Sequence, residues 1–393
     1  MALVRMHGVV KEYDWGGSTF IPDLLGKAAD GKPKAELWMG THPSGMATLD
    51  TGESLKDFLA RRSESWMGTE SDGSLPFLLK VLSIAAPLSI QCHPTKEQAL
   101  AGWAKEAPLR AKDPDHTHWD YQDDNPKAEM LYALTPVTAM CAFRPFHEIR
   151  DAFLHLVPHT WEELLKPEHE GDQGIKELYT KLMGLKGGQL KDAVAELLTS
   201  IRISKAPVWT PDGRFLTAEG ITITASKQYP EDAGLFAPFL LNVLHLDSRD
   251  AVYLQPDTLH AYVYGDAIEL MDASDNVLRG GLTHKKVDVP ELLSLLSFQG
   301  RKELNCPVKR MADGRLRVMV PTKDFALYAM DSGSYKVDQN SVELLFCLDG
   351  KARFSSGAEW VTIRRGECWV KSASTGEYDI NVQGRLFSAT LGD

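Results

Sequence analysis

The hydrophobic period of this chain changes twice, and that change limits what it can fold into. From about Pro145 to Ile203, the segments PFHEIRDAFLHL, TWEELLK, GIKELYTKLMGL and LKDAVAELLTSI place apolar residues three and four apart, with Asp, Glu and Lys between them. That spacing puts one apolar stripe on a helix. On both sides the pattern is that of short strands. LPFLLKVLSI and MLYALTPVTAMCAF lie between the turn signals DWGG, ADGKPK and HPSG, and MATLDTGES reads as a further short strand. FLLNVLHLDSRDAVYLQPDTLHAYVYGDAIELMDA follows the helical block, and VELLFCLDGKARFSS, WVTIRRGECWVKSA and YDINVQGRLFSATL close the chain. Strands flanking a helical block imply a mainly β protein with a helical insertion. We expect residues 1–145 and 220–305 to form one β unit, 146–219 the insertion, and 306–393 a second β unit. Asp349-Gly350 reads as a hairpin turn. RDAVYLQPDTLHAY (249–262) also echoes RGECWVKSASTGEY (365–378), with His260 opposite Gly376.

One stretch inside the first unit is chemically specific. SIQCHPTKE ends the apolar run LPFLLKVLSIAAPL. On a strand, Ser89, Gln91 and His93 share one face and Leu88, Ile90 and Cys92 the other. Pro94 stops the ladder, because it has no N–H to donate. Thr95 and Gln98 form a capping box, so a helix over KEQALAGWAKEA should follow.

Charge and cysteine usage bound the partners. The formal net charge of −11 argues against nucleic acid and anionic membrane, but not against a small anionic ligand. The five cysteines are scattered, with no C-x-x-C, so neither a disulfide framework nor a thiolate zinc site is expected. No apolar run is long enough to span a membrane, and a cytoplasmic protein is expected.

The turn LQPDTLHAY, a histidine just past a proline turn between strands, resembles the small β-barrels called cupins. In those barrels inward side chains from several strands hold one metal. Gln91 and His93 share a face, His260 ends the turn motif, and Glu129 stands before an apolar strand. Gln91, His93, Glu129 and His260 make an N/O donor set that suits Zn²⁺ better than Fe²⁺ or Mn²⁺. His116-Thr117-His118 is a competing H-x-H in an acidic stretch, read as a solvated loop, and His42 in THPSG reads as turn-forming. Lys286 reads as a solvated charge. Lys127 shares a strand face with Glu129. Lys80 sits among Leu and Val, where a lysine needs an anionic partner. These cations suggest a phosphate-bearing substrate.

AELWMGTHPSG, QCHPTKEQA, YQDDNPKAEM and NVLRGGLTHKKVDV together resemble the type I phosphomannose isomerases, in order and over most of the chain. That resemblance implies two jelly-roll cupin domains plus a helical domain. It implies one Zn²⁺ per chain, held by Gln91, His93, Glu129 and His260. It also implies interconversion of mannose 6-phosphate and fructose 6-phosphate by a cytoplasmic, monomeric enzyme acting on a small sugar phosphate. The family's active-site arginine matches Arg279 and its motif lysine Lys127. For a C1–C2 proton shift through a cis-enediolate, Arg279 would stabilise the oxyanion, and Glu269 or Lys127 would serve as base. Burial beside a cation would ready Lys127 for that part. Ser89, Lys80 and Lys285 would hold the phosphate. The family's usual Y-x-D-x-N-H-K-P-E is here YQDDNPKAE, with Pro126 in place of the histidine and Ala128 in place of the proline. An Fe²⁺ cupin dioxygenase and a non-catalytic sugar-phosphate-binding cupin are the alternatives. The first would need open sites for O₂ and no lysines, and the second would bind without turnover.

Overall fold

The computed structural model describes residues 3–112, 119–302 and 304–392. Among these residues the strands form two antiparallel sheets, one of eleven strands and one of nine. No described helix is long and apolar enough to cross a membrane. The helices that interrupt the β structure run from Phe146–Leu156 through Gly171–Gly184 and Gly187–Ser204 to Ala218–Ser226, and a last short one ends at Leu240. Strand structure returns at Leu241–Leu246, so the helical stretch continues past residue 219. Thr217 is the cause: its Oγ1 accepts from the Gly220 N–H at 2.9 Å and caps the added helix. Ile221 and Ala225 then bury in the core of the insertion, which overrides the strand preference of the β-branched run ITIT.

Two further sequence expectations are revised. Asp349-Gly350 makes no hairpin. It lies inside the strand Glu343–Ser356, at a register shift, with Gly350 at φ +68°. This is a bulge, and the chain turns only at Ser356 and Glu359. Most of MATLDTGES is also not strand: only Thr48–Leu49 forms one, with a single bridge back to Ser54, which caps the helix Leu55–Ala60. The chain's first strand, Leu3–His7, joins the carboxy-terminal sheet by pairing with Cys368–Lys371. It covers an edge that would otherwise be open.

The two sheets repeat one arrangement. In the first, Phe77–Ile84, His260–Asp272, Glu129–Ala133 and Ala251–Leu254 are neighbours in that order. In the second, Ala326–Asp338, Glu377–Thr390, Glu343–Ser356 and Cys368–Lys371 follow the same order. The strand starts Ala251 and His260 correspond to Cys368 and Glu377, so Glu377 rather than Gly376 stands opposite His260. The sheets pack back to back: Met130, Tyr132, Ile268 and Leu270 meet Leu344, Phe346 and Phe387 in one core. The Tyr132 and Phe387 rings lie edge to face at 5.3 Å.

Residues of opposite parity line the other face of each sheet. On the first these include Leu131 and Ala133, and on the second Leu345 and Cys347. Glu129 and Glu343 share that inward parity at the same register, because Ala251 pairs with Tyr132 and Cys368 with Phe346. Glu343 is fully buried. It accepts from Tyr378 Oη at 3.0 Å and from Ser388, with Arg315 at 3.5 Å and Lys371 at 3.8 Å.

Candidate active site

The cleft above the inner face of the first sheet has a volume of about 2060 Å³. Its floor is set by strand Ile90–Cys92. Ser89 and Gln91 line the cleft, whereas Ile90 and Cys92 bury against the helical insertion, as the alternation requires. The capping box forms as expected. Thr95 N–H donates to Gln98 Oε1 at 2.9 Å, Gln98 N–H to Thr95 Oγ1 at 3.3 Å, and the helix Lys96–Lys112 follows.

Gln91 pairs on one side with His260 and on the other with Arg279. One cross-strand row therefore carries Arg279, Gln91 and His260, roughly 5 Å apart per strand. The two glycines after Arg279 permit this. A side chain at Gly280 would come within 2.9 Å of the Tyr179 hydroxyl, and Gly281 holds φ +131° beside Asp232. Gln91 Nε2 donates to Ser89 Oγ at 3.2 Å, which leaves its amide oxygen as the end able to ligate.

His93, Glu129 and His260 converge, each buried, with one donor atom apiece inside a 4.8 Å sphere of mutual distances. His93 Nδ1 lies 2.8 Å from the backbone oxygen of Asn276, and His260 Nδ1 2.9 Å from that of Thr258. A carbonyl only accepts, so both Nδ1 atoms carry a proton, and in the neutral ring it is Nε2 that presents the lone pair. Burial, with Lys127 adding to it, pushes the His93 pKa down to about 3, so its ring is neutral. His93 Nε2 then faces Glu129 Oε1 at 3.2 Å, and His260 Nε2 faces Glu129 Oε2 at 3.4 Å.

Such contacts pair acceptor with acceptor. They resemble ion pairs only if a ring is charged, and His93 Nε2 is buried without a hydrogen-bond partner. Three inward lone-pair donors with no proton among them fit a cation, and two imidazoles with a carboxylate fit a borderline ion such as zinc. Burial alone would raise the Glu129 pKa. The His93 ring and the Lys127 ammonium override it and hold the carboxyl well below the usual carboxylate range. With His93 neutral, Lys127 is the charge responsible, its Nζ 3.3 Å from Glu129 Oε1.

The other expected residues separate into two groups. Lys80 does find an anion, but the chain supplies it: Nζ sits 2.8 Å from Glu269 Oε2, both buried, directly across paired strands. Burial opposes the lysine's charge, and Glu269, Glu36 and Glu129 outweigh it, so its pKa is raised. Burial raises Glu269, with Lys80 pulling it back. Half-buried Arg279 and exposed Lys285 line the same cleft; burial lowers the pKa of both, Asp120 partly offsetting it for Arg279 and Arg279 adding to it for Lys285. Lys286, expected to be solvated, bonds Asp120 at 2.7 Å and Asp288 at 3.3 Å. His116 and His118 lie outside the described residues.

Two residues carry more than the sequence suggested. His42 does form the turn, its Nδ1 accepting from the Ser44 N–H at 3.2 Å, but it is also buried in the cleft wall, 3.6 Å from Asp275. Asn276, which no pattern singled out, supports His93 from behind. Its position in the turn after a strand looks like that of any solvated amide.

Against known proteins the resemblance is extensive. The profile for the phosphomannose isomerase type I catalytic domain matches residues 3–146, and that for the family's helical insertion domain matches 157–241. A mannose-6-phosphate isomerase of Escherichia coli is 35% identical over 397 residues, covering 96% of each chain. A human one is 36% identical over 349 residues, covering 81% of this chain and 79% of its own. The crystal structure of mannose 6-phosphate isomerase from Salmonella typhimurium, bound to fructose 6-phosphate and zinc, superimposes with a TM-score of 0.87 at 31% identity and covers both chains fully. With identity sustained over nearly the whole length, this chain belongs to the type I phosphomannose isomerases.

Proposed function

We propose that the protein is a zinc-dependent aldose–ketose isomerase that interconverts mannose 6-phosphate and fructose 6-phosphate. The observation that carries this reading is the buried His93–Glu129–His260 triad, with its lone pairs turned inward in a cleft that also holds Lys127 and Arg279. Gln91, His93, Glu129 and His260 would hold the ion. Bound there, zinc supplies a Lewis acid for the sugar oxygens at the reacting carbons.

The chain's own groups then account for the proton shift. The C2 proton of the open-chain aldose is acidic because a carbonyl adjoins it. A base takes that proton and returns it to C1, and the pair of oxygens carries the negative charge in between. Arg279 stands in the row beside Gln91 and offers a rigid donor fork to that charge. Lys127 reaches the cleft from the segment before Glu129–Ala133, and Glu269 from the neighbouring strand His260–Asp272. Lys127 is the proton carrier in this reading: once its resting ammonium has shed a proton, the amine takes the C2 proton and gives it back at C1. Glu269, held by Lys80, is the other candidate base in the cleft. Lys80 is committed to Glu269, so Lys285 and Ser89 are left to anchor the phosphate at the mouth. Pro126 lines the cleft without a titratable group, and ring opening falls to the remaining side chains.

In the same reading each sheet is a jelly roll. The catalytic unit spans 8–145 and 241–305, the insertion 146–240, and the metal-free unit 306–393 with the strand Leu3–His7 added. All five cysteines are free thiols, which supports a reducing, cytoplasmic setting for what we read as a monomer.

The test is a coupled assay. The zinc-loaded protein should convert mannose 6-phosphate to fructose 6-phosphate, lose turnover on chelation, and regain it with added zinc. In heavy water the product carbon should acquire deuterium. No turnover by the zinc-loaded protein would sink the isomerase reading. Sugar-phosphate binding without turnover would point to a sensing protein, and oxygen uptake with iron to an oxygenase.

A further inference from the structure

His93 is oriented from a direction that its own strand does not supply. The carbonyl that fixes its Nδ1 proton belongs to Asn276, between the strands His260–Asp272 and Leu278–Gly281. The side chain of the same residue reaches the other way and is fully buried. Its Oδ1 accepts from the N–H groups of Gln122 at 2.6 Å and Asp123 at 3.1 Å. Its Nδ2 donates to the backbone oxygens of Asp123 at 2.9 Å and Asn125 at 2.8 Å, and to Asp123 Oδ1 at 3.2 Å. An amide has two acceptor sites and two donor hydrogens, and all are engaged. Asp123 answers with a clasp of its own: Ser274 Oγ bonds its Oδ1 at 2.9 Å, and Asp275 N–H its Oδ2 at 3.1 Å.

The segment so held, 122–125, runs directly into Pro126, Lys127 and Glu129. One residue therefore ties the tautomer of His93, through its carbonyl, to the placement of Lys127 and Glu129, through its amide. We propose that Asn276 is a positioning residue of the metal centre, one that couples metal affinity to the registration of Lys127. The proposal rests on the metal-centre reading above. It adds a residue that touches neither metal nor substrate.

An amide is required because both bond types are used. Aspartate at this position would turn one oxygen toward the carbonyls of Asp123 and Asn125 and the Asp123 carboxylate, where only donors fit. Alanine would take their partner from two N–H groups and two carbonyls.

The test compares Asn276→Asp and Asn276→Ala with the parent, after circular dichroism has established folding. Zinc dissociation constants come from competition with a chromophoric chelator on the metal-free protein. The His93 tautomer comes from ¹⁵N-histidine NMR of the same metal-free protein. Loss of a group that orients a metal ligand typically weakens binding about 10–100-fold. We expect that weakening, a mixed His93 tautomer, and a kcat that stays reduced when zinc is saturating, with KM changed less than kcat. A merely structural role would lower the melting temperature and leave these three unmoved. If neither Asn276 variant folds, Asp123→Asn decides, because it weakens the same clasp at a half-buried site and should show the same pattern to a smaller degree. Zinc affinity and tautomer equal to the parent's, in any variant that folds, overturn the proposal. A parent protein that binds no zinc would instead overturn the metal-centre reading beneath it.

Discussion

Glu129→Gln should leave a protein that folds, binds zinc more than about 100-fold more weakly than the parent, and shows no turnover at zinc concentrations that saturate the parent. A change at a group that only orients a ligand already costs about 10–100-fold, and here the ligand itself is altered. Glutamine keeps the shape and one oxygen but removes the only negative charge between two imidazoles. It also places an NH₂ where lone pairs must converge. A second effect adds to the first. Lys127 would lose the carboxylate 3.3 Å from its Nζ, leaving an ammonium buried without its anion. The double consequence separates Glu129 from the histidines, whose loss removes a ligand without unpairing a charge. Zinc per chain after dialysis and the coupled assay are the measurements. Parent-like zinc content in the variant would remove Glu129 from the ligand set.

The second large effect concerns Arg279. Arg279→Ala should reduce kcat by about 10²–10³-fold, the range for removing one donor from a site where charge develops, while KM rises far less. Arg279→Lys should recover little, because a point ammonium does not reproduce a planar fork aimed at two oxygens. The structural basis is the cross-strand row Arg279, Gln91, His260, which sets Arg279 one strand from Gln91 and two from His260. Steady-state kinetics at saturating zinc decide it. A raised KM with unchanged kcat would assign Arg279 to the phosphate instead, in company with Lys285.

How much of this was legible in the sequence depended on the range of the interaction. The alternation of Ser89, Gln91 and His93 against Ile90 and Cys92 follows from the two-residue period of a strand, so one short segment was enough to read it. The capping box at Thr95 is equally local. Lys80 announced that it needed an anion, because a lysine among Leu and Val is costly. That the anion is Glu269, far along the chain, depends on strand register, which no local pattern encodes. Glu129 and His260 meet for the same reason, although their residue types and positions beside strands had already put them in one candidate donor set.

The misreadings were local signals overruled by tertiary packing. The insertion expected to end at residue 219 was prolonged by the Thr217 cap and the buried Ile221 and Ala225. Asp349-Gly350 kept its positive φ but spent it on a bulge. Asn276 escaped notice because half of its role is exercised by a backbone oxygen, an atom that every residue possesses.

Glu343 gives the repeat of the two sheets a consequence for how the molecule responds to losing its metal. At the register where the first sheet has a carboxylate awaiting an ion, the second has a carboxylate already neutralised by Lys371 and Arg315, cations that are part of the chain. No chelator can remove them. Stripping zinc should therefore loosen the molecule unevenly. Amide hydrogen exchange should quicken around Glu129–Ala133 and the start of His260–Asp272, while Glu343–Ser356 and Glu377–Thr390 stay protected. Equal quickening in both sheets would mean that their shared core transmits the loss. Otherwise the carboxy-terminal sheet acts as a permanently charged-balanced anchor, against which a metal-dependent half can relax and recover.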